Sequence, residues 1–508
     1  MTVLVLGDQL LREIGPVADR PDERILMIEA TAFARRHPYH PHKLTLVFSA
    51  MRHFRDELRA EGRTVEYRRV ERFGDALAEH FEEYPSDDLV AMRPASYGAT
   101  DRLAELVADQ VGQLELVENP SYICSRDEFD AWAADRRFPY RHVDFYRYIR
   151  RKTGYLMEED EPIGGNWSYD EQNREFPVGE IDPPEPPSFP PDDITSKVID
   201  WVAETFDGGY EQPPYGGDWA DPAPFVWPVT REDALSALES FVDERLANFG
   251  PYQDAMLTGE WAMYHALLSP VLNLGLLRPA EVIEIAIDRG LSDPNVPINS
   301  VEGFVRQVLG WREFVRHAYR ASMPDLAGAN QLDANEDLPA FYWTGETNMA
   351  CLAEVIDDVR KRGYSHHIQR LMVLSNFALL YGVEPRQLDR WFRAGYVDAY
   401  HWVTTPNVVE MGLYGAGVFA SKPYAASANY IDRMSDYCSG CPFDPGETIG
   451  EDACPFNALY WEFLDRNEER LRKGGRMALV FSHLDDKDHE AIRDRAETVT
   501  QAIVGGEL

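Results

Sequence analysis

The sequence predicts an N-terminal α/β domain with a parallel sheet, a long linker, and a C-terminal all-α domain carrying a thiolate metal centre. Three observations predict it. Short apolar runs alternate with amphipathic stretches over the first part of the chain, as they do where crossover helices join parallel strands. An acidic, proline-rich stretch at 157–193 then interrupts the pattern. Beyond it helical periodicity persists to near Leu471, and four cysteines, Cys351, Cys438, Cys441 and Cys454, fall within that half. The expected units are residues 1–130, a basic helix and linker at 131–193, and a helical domain at 194–508.

Taken in order, the runs 2–7 (TVLVLG), 25–30 (ILMIEA), 43–50 (KLTLVFSA), 89–94 (LVAMRP) and 114–119 (LELVEN) read as strands. Ligands of such sheets bind at the carboxyl ends of strands. Here that means Gly7, Asp8 and Gln9, then Glu29, then Phe48 to Met51. No G-x-G-x-x-G follows the first run, so the usual dinucleotide site is not expected. The stretch MEEDEPIGGNWSYDEQNREFPVGEIDPPEPPSFPPDD reads as a linker wrapped on a surface. Thr230 ahead of REDALSALESFVDERL is a helix-start signal inside the helical half. There is no internal repeat.

The chain has 508 residues, 44% of them hydrophobic and 12% aromatic, a composition that supports more than one packed core. Its 87 acidic residues against 50 Lys and Arg leave a net charge of −37. An excess this large, spread along the whole chain, points to a halophile, where molar salt screens repulsion within about 3 Å. At ordinary ionic strength such a charge argues against nucleic acid as a partner. A local exception is Tyr140 to Lys152 (YRHVDFYRYIRRK), where six basic side chains, His142 included, interleave with four aromatics. Arg147, Arg150, Arg151 and Lys152 are its candidate phosphate contacts, the alternative being arginines that pair with nearby carboxylates. A second basic cluster runs from Arg466 to Arg476. The N-terminus has no basic leader region or cleavage site, and the uncharged run Trp261 to Leu277 is broken by His265, Pro270 and Asn273. No secretory leader and no membrane span are therefore expected, and the location expected is cytoplasmic.

The last three cysteines form C-x2-C-x12-C within the turn-rich YCSGCPFDPGETIGEDACPF, and Cys351 upstream completes a set of four. Four soft anionic donors suit a tetrahedral zinc or an iron–sulfur cluster, and the spacing does not choose between them. A disulfide pair is disfavoured in a chain without a leader. Cys124, far away, reads as a buried spare.

Inside the helical half lie FGPYQDAM (249–256), YHALLSPVLNLGLL (264–277), VRQVLGWREFVR (305–316), SHHIQRLMVLSNF (365–377) and VDAYHWV (397–403). With LGDQL, FSAMRHF and the four cysteines, this ordered set resembles the photolyase and cryptochrome superfamily. The likeness covers nearly the whole chain and is nearest the iron–sulfur branch, the prokaryotic (6-4) photolyases and related cryptochrome-like proteins. Single pieces such as W-R-E-F are only moderately specific; the ordered set is highly so.

The resemblance implies light-driven repair of UV-damaged DNA, with FAD held in the helical domain and the lesion flipped out of the duplex to reach it. It implies a flavin pocket of Tyr252, His265, Leu267, Leu268, Ser269 and Leu272, closed by Gln307, Trp311, Arg312, Asp398 and Tyr400. His366 and His367 open an H-H-x-x-R sequence, in which the second histidine of (6-4) photolyases gives the lesion its proton. Eukaryotic relatives carry a further histidine one helical turn on, where this chain has Leu371. Trp391 and Trp343 match the tryptophans that relay electrons to the flavin; Phe392 stands where some relatives have a tyrosine. The four cysteines would hold a [4Fe-4S] cluster. An antenna, 6,7-dimethyl-8-ribityllumazine, is expected near Gly7, Asp8, Glu29, Val47, Phe48 and Ser49, with a deazaflavin as the other choice.

Three alternatives stay open at this point: a cryptochrome-like photoreceptor with the same cofactors, a cyclobutane-dimer photolyase, and a zinc-bound structural protein without flavin, which would be colourless. No obligate protein partner is evident, and a monomer is expected.

Overall fold

The computed structural model describes every residue except 178, 180, 207–218, 420, 421 and 473–476. Its sheet comprises β1 (Thr2–Val5), β2 (Arg24–Ala30), β3 (Val65–Val70), β4 (Asp88–Met92) and β5 (Gln113–Val117). The strands run in the order β3-β2-β1-β4-β5, every neighbouring pair parallel. Strand order reverses beside β1, so a crevice opens past Val5, at Gly7, Asp8 and Gln9.

The expected strand at 43–50 is instead part of a 20-residue helix, Pro41–Ala60. Pro41 occupies the first turn, where a missing N–H costs nothing, and the His40 ring accepts from the His42 backbone N–H at 3.0 Å. Val47, Phe48 and Ser49 therefore lie on a helix and not at a strand end. The third strand is VEYRRV, charged because it forms a sheet edge: Arg68 pairs with Glu66, Glu79 and Glu83.

The start of that helix reaches into the helical domain. Lys43 Nζ donates to the carbonyls of Arg393 at 2.8 Å and Ala399 at 2.5 Å, and the His40 backbone N–H donates to Ala394 O at 2.9 Å. One continuous apolar core accordingly includes Val3 and Met27 of the sheet together with Leu272, Phe304 and Phe314 of the helical half. A second core gathers residues from Trp219 to Ile503, Cys351 and Cys454 among them.

The segment 157–193 contains a short hairpin, Met157–Glu158 with Glu161–Pro162, and is otherwise largely irregular among the described residues. From Asp193 onward the described residues form helices and no strand. Among the described residues four stretches widen into π-helical turns, at Phe241–Arg245, Arg306–Arg312, Gln369–Ser375 and Pro406–Gly412, a distortion common at functional sites. Among the described residues no helix is long and apolar enough to cross a membrane.

Candidate functional site

The H-H-x-x-R turn is locked on two sides. Arg370 donates bidentately to Asp398, 3.0 Å to each carboxylate oxygen, and its Nε donates to Ser365 O at 2.7 Å. Ser269 Oγ donates to Asp398 Oδ2 at 2.6 Å and Asn273 Nδ2 to the Asp398 backbone carbonyl at 2.9 Å, so the 264–273 segment is tied to the same residue. His366 is fully buried and stacks on His265, centroids 4.5 Å apart. His265 Nε2 and both ring nitrogens of His366 are buried without a hydrogen-bond partner. Orphaned polar atoms of this kind are rare and suit a site that receives a polar ligand.

His367 is exposed, yet desolvation by surrounding protein, followed by repulsion from Arg370, lowers its pKa to about 4. Leu267, Leu268 and Leu272 are buried nearby in sequence, and Leu267 holds a left-handed backbone at φ 58°, unusual for a leucine. Tyr252 lies 5.8 Å from the Tyr264 ring.

Other residues expected at the flavin face the domain junction. Trp311 stacks flat on His142 at 3.8 Å, against the basic helix. Arg312 donates to Ser121 O at 2.9 Å and covers the Tyr122 and Trp402 rings, while a longer bond to Leu272 O keeps it attached to the 264–273 segment. Tyr400 lies under Lys43, whose burial lowers its own pKa to about 7. Gln307 occupies the π-helical turn with them. The expected set missed Asn273, Arg370 and Lys43. Arg370 had a signal in its motif; the other two had none.

The six antenna candidates do not converge. Asp8 is partly accessible with its pKa raised to about 6 by desolvation, and Gly7 packs against Val47 and Met51. Glu29 is enclosed: Arg52 donates to it at 2.7 and 3.0 Å, Tyr67 at 2.7 Å and Arg69 at 2.9 Å. Phe48 packs under the helix Asp193–Phe206 against Trp201 and Phe206, and Ser49 is fully buried. Gly7, with Asp8 next to it in the chain, lies beside Val47.

The four cysteines line a single cavity with Met349, Tyr437 and Phe443. Cys454 caps the helix Pro455–Arg466, Cys351 sits in the first turn of Ala350–Arg362, and Cys438 lies in the turn Tyr437–Gly440, capped by Cys441. Burial, reinforced by their neighbours, raises the Cys438 and Cys454 thiols to about 12. A positively charged centre is what reverses that penalty. Among the described residues no three His, Cys, Asp or Glu side chains meet closely enough to hold one metal ion. A mononuclear zinc needs its sulfurs about 2.3 Å from one point, a convergence that the described thiols do not show. Trp391 is fully buried and donates to Tyr342 O at 2.8 Å, and Trp343 meets Trp219 edge-on at 5.1 Å.

On the basic helix His142–Thr153, Arg147 and Arg151 are exposed beside Trp167, whereas Arg150 is not available to phosphate. Its side chain is fully buried and donates to the carbonyls of Leu156 at 2.5 Å, Trp167 at 3.2 Å and Tyr155 at 3.4 Å. Lys152 is exposed but pairs with Glu128. In the second cluster Arg466, Arg470 and Arg472 pair with Glu462, Asp333 and Glu468; Arg476 lies outside the described residues.

Known proteins share this architecture. Residues 3–212 match the family described as deoxyribodipyrimidine photo-lyase-related protein. A bacterial class III photolyase from Agrobacterium tumefaciens superimposes with a TM-score of 0.58 at 16% identity, covering 99% of this chain and 97% of its own. A Synechocystis cryptochrome does so with the same score at 13% identity, covering 92% and 89%. These two likenesses establish the fold. The sequence of a (6-4) photolyase from Agrobacterium fabrum is 41% identical over 94% of both chains. At that identity and coverage, this chain belongs to the photolyase and cryptochrome superfamily.

Proposed function

We propose that this protein is a light-driven DNA lyase that reverses (6-4) pyrimidine–pyrimidone photoproducts. The observation that carries the reading is His367, exposed on a turn that Arg370 and Asp398 hold in place. It is joined by 41% identity to a (6-4) photolyase.

Reversal of a (6-4) product must return a hydroxyl from one pyrimidine to the other, so electron transfer has to be coupled to a proton. The segments around His265 to Leu272 and Asp398 would hold FAD, which would supply the electron when reduced and excited by light. His367 gives the proton to the departing oxygen of the lesion. With a pKa of about 4 the imidazole is neutral near pH 7 in the free protein. The phosphates of bound DNA supply the negative field that raises it toward the working range. His366 and His265, stacked and buried, hold the turn that aims it. Leu267, Leu268 and Leu272 exclude water. Trp391 and Trp343 pass electrons inward to recharge the site. The four cysteines hold a [4Fe-4S] cluster in a structural or DNA-sensing role, and Gly7, Asp8 and Val47 border the antenna, a ribityllumazine. Arg147, Arg151 and the exposed Lys152 approach the DNA backbone, and the protein works as a cytoplasmic monomer in molar salt.

The test is repair of an oligonucleotide carrying one (6-4) product, in molar KCl with reduced protein under blue light, read by chromatography beside a cyclobutane-dimer control. Restoration of the (6-4) strand alone is expected, with a loss of at least about 100-fold in His367→Asn at unchanged flavin content. Repair of the dimer alone would reassign the substrate. No repair of either, by protein that contains flavin and iron, would make it a photoreceptor.

A further inference from the structure

Gln369 lies between the two histidines' turn and the cysteine cavity, and its amide is used at both ends. Its Oε1 accepts from the His366 backbone N–H at 3.0 Å, and its Nε2 donates to Tyr437 Oη at 3.1 Å. Both side chains are buried, and Tyr437, next to Cys438, lines the cysteine cavity. The first N–H groups of a helix have no partner within it, so a side chain that satisfies one sets where the helix begins. Here the satisfied N–H belongs to His366, directly before His367. Arg370 fixes the other side of the same turn through Asp398.

We propose that Gln369 and Tyr437 are positioning residues for His367, and that they make the orientation of the lesion-facing imidazole depend on the wall of the cysteine cavity. The proposal rests on the repair reaction above for its catalytic consequence, though not for its geometric one. Amide and phenol form a two-bond strut about one side chain long. If the Tyr437 end is freed, the Gln369 amide loses its anchor, the His366 N–H loses a fixed acceptor, and the turn carrying His367 loosens. The charged and titratable groups that interact electrostatically with His367 are Arg370, His366 and His265. A loosened turn changes its distance to all three.

The test uses Tyr437→Phe, which removes one oxygen, and Gln369→Leu, which removes the amide at a site away from the cysteines. Iron, sulfide and flavin contents are measured first. Histidine-selective ¹⁵N NMR then follows the His367 titration in the dark with no DNA, and single-turnover repair is recorded against pH. Both variants are expected to keep their iron and flavin, to shift the His367 titration relative to the parent in the same direction, and to lower repair about three- to tenfold with lesion-DNA affinity unchanged. An unchanged titration and pH profile in both would overturn the proposal. So would loss of repair only in step with loss of iron, because the pair would then serve the cage alone. If the parent chain does not repair the lesion, the NMR comparison still decides the positioning role while the functional reading falls separately.

Discussion

Arg150 turns its guanidinium inward to three backbone carbonyls, while its neighbour Arg151 lies exposed over Trp167. Removing the first leaves buried carbonyls unpaired; removing the second changes only a surface. Arg150→Ala is expected to destabilise the fold by about 3 kcal/mol, seen as a lower urea midpoint. Arg151→Ala should leave the midpoint alone and weaken binding of lesion DNA, with a shallower salt dependence. Equal effects on stability would contradict this division. From sequence the two arginines looked alike, because charge is visible there and direction is not. His366 and His367 were marked by their motif, yet their division into a buried stacked ring and an accessible one depends on packing. Gln369 and Tyr437 carried no signal, since a polar residue on a buried face is recognised only once its partner is known.

The motif F-G-P-Y sits where two helices cross. A Cβ on Gly250 would fall 2.7 Å from both the N and Cα atoms of Ser300, and the Gly250 N–H donates to Ser300 Oγ at 3.0 Å. Backbone cannot give way as a flexible side chain does. Gly250→Ala is therefore expected to cost roughly 1–3 kcal/mol and, by moving Tyr252 two residues on, to lower flavin occupancy, measured as the ratio of visible to ultraviolet absorbance. At this scale the alternating pattern disclosed four of the five strands. The helix Pro41–Ala60 was misread because Leu44, Leu46, Phe48, Ala50 and Met51 are all buried, so no polar face betrays its period. VEYRRV was overlooked for the opposite reason. Its charges are satisfied by ion pairs along an edge, and alternation between apolar and polar faces is lost. The helical half was legible because its amphipathic periods are long and its cysteines rare.

For the whole molecule, nine of the 13 histidines have their pKa lowered, each chiefly by desolvation: His37, His40, His42, His142, His265, His317, His366, His367 and His401. A base whose pKa falls on folding takes up its proton more readily when unfolded. Below about pH 6.5 the unfolded chain is therefore favoured, by roughly 1.4 kcal/mol per pH unit for each extra proton bound. The raised carboxyls, Asp8 and Asp254 near 6, Asp358 near 7, and Glu260, Glu313, Asp389 and Glu462, act in the opposite sense, seven groups against nine. The melting temperature at fixed KCl is expected to fall by several degrees from pH 7 to pH 5. A flat or rising profile would show that these imidazoles are not neutral in the folded protein.

The bonds from His40 and Lys43 to Ala394, Arg393 and Ala399 bear on how the chain can be divided. The longest helix beside the sheet takes its first turn from contacts made more than 300 residues away, and the surrounding core belongs to both halves. What looks like a detachable module in the linear sequence is therefore half of a joint unit. A single protease cut at the exposed Pro190 to Asp192 would leave two fragments that remain associated and elute together, whereas neither fragment expressed alone would have a complete interior.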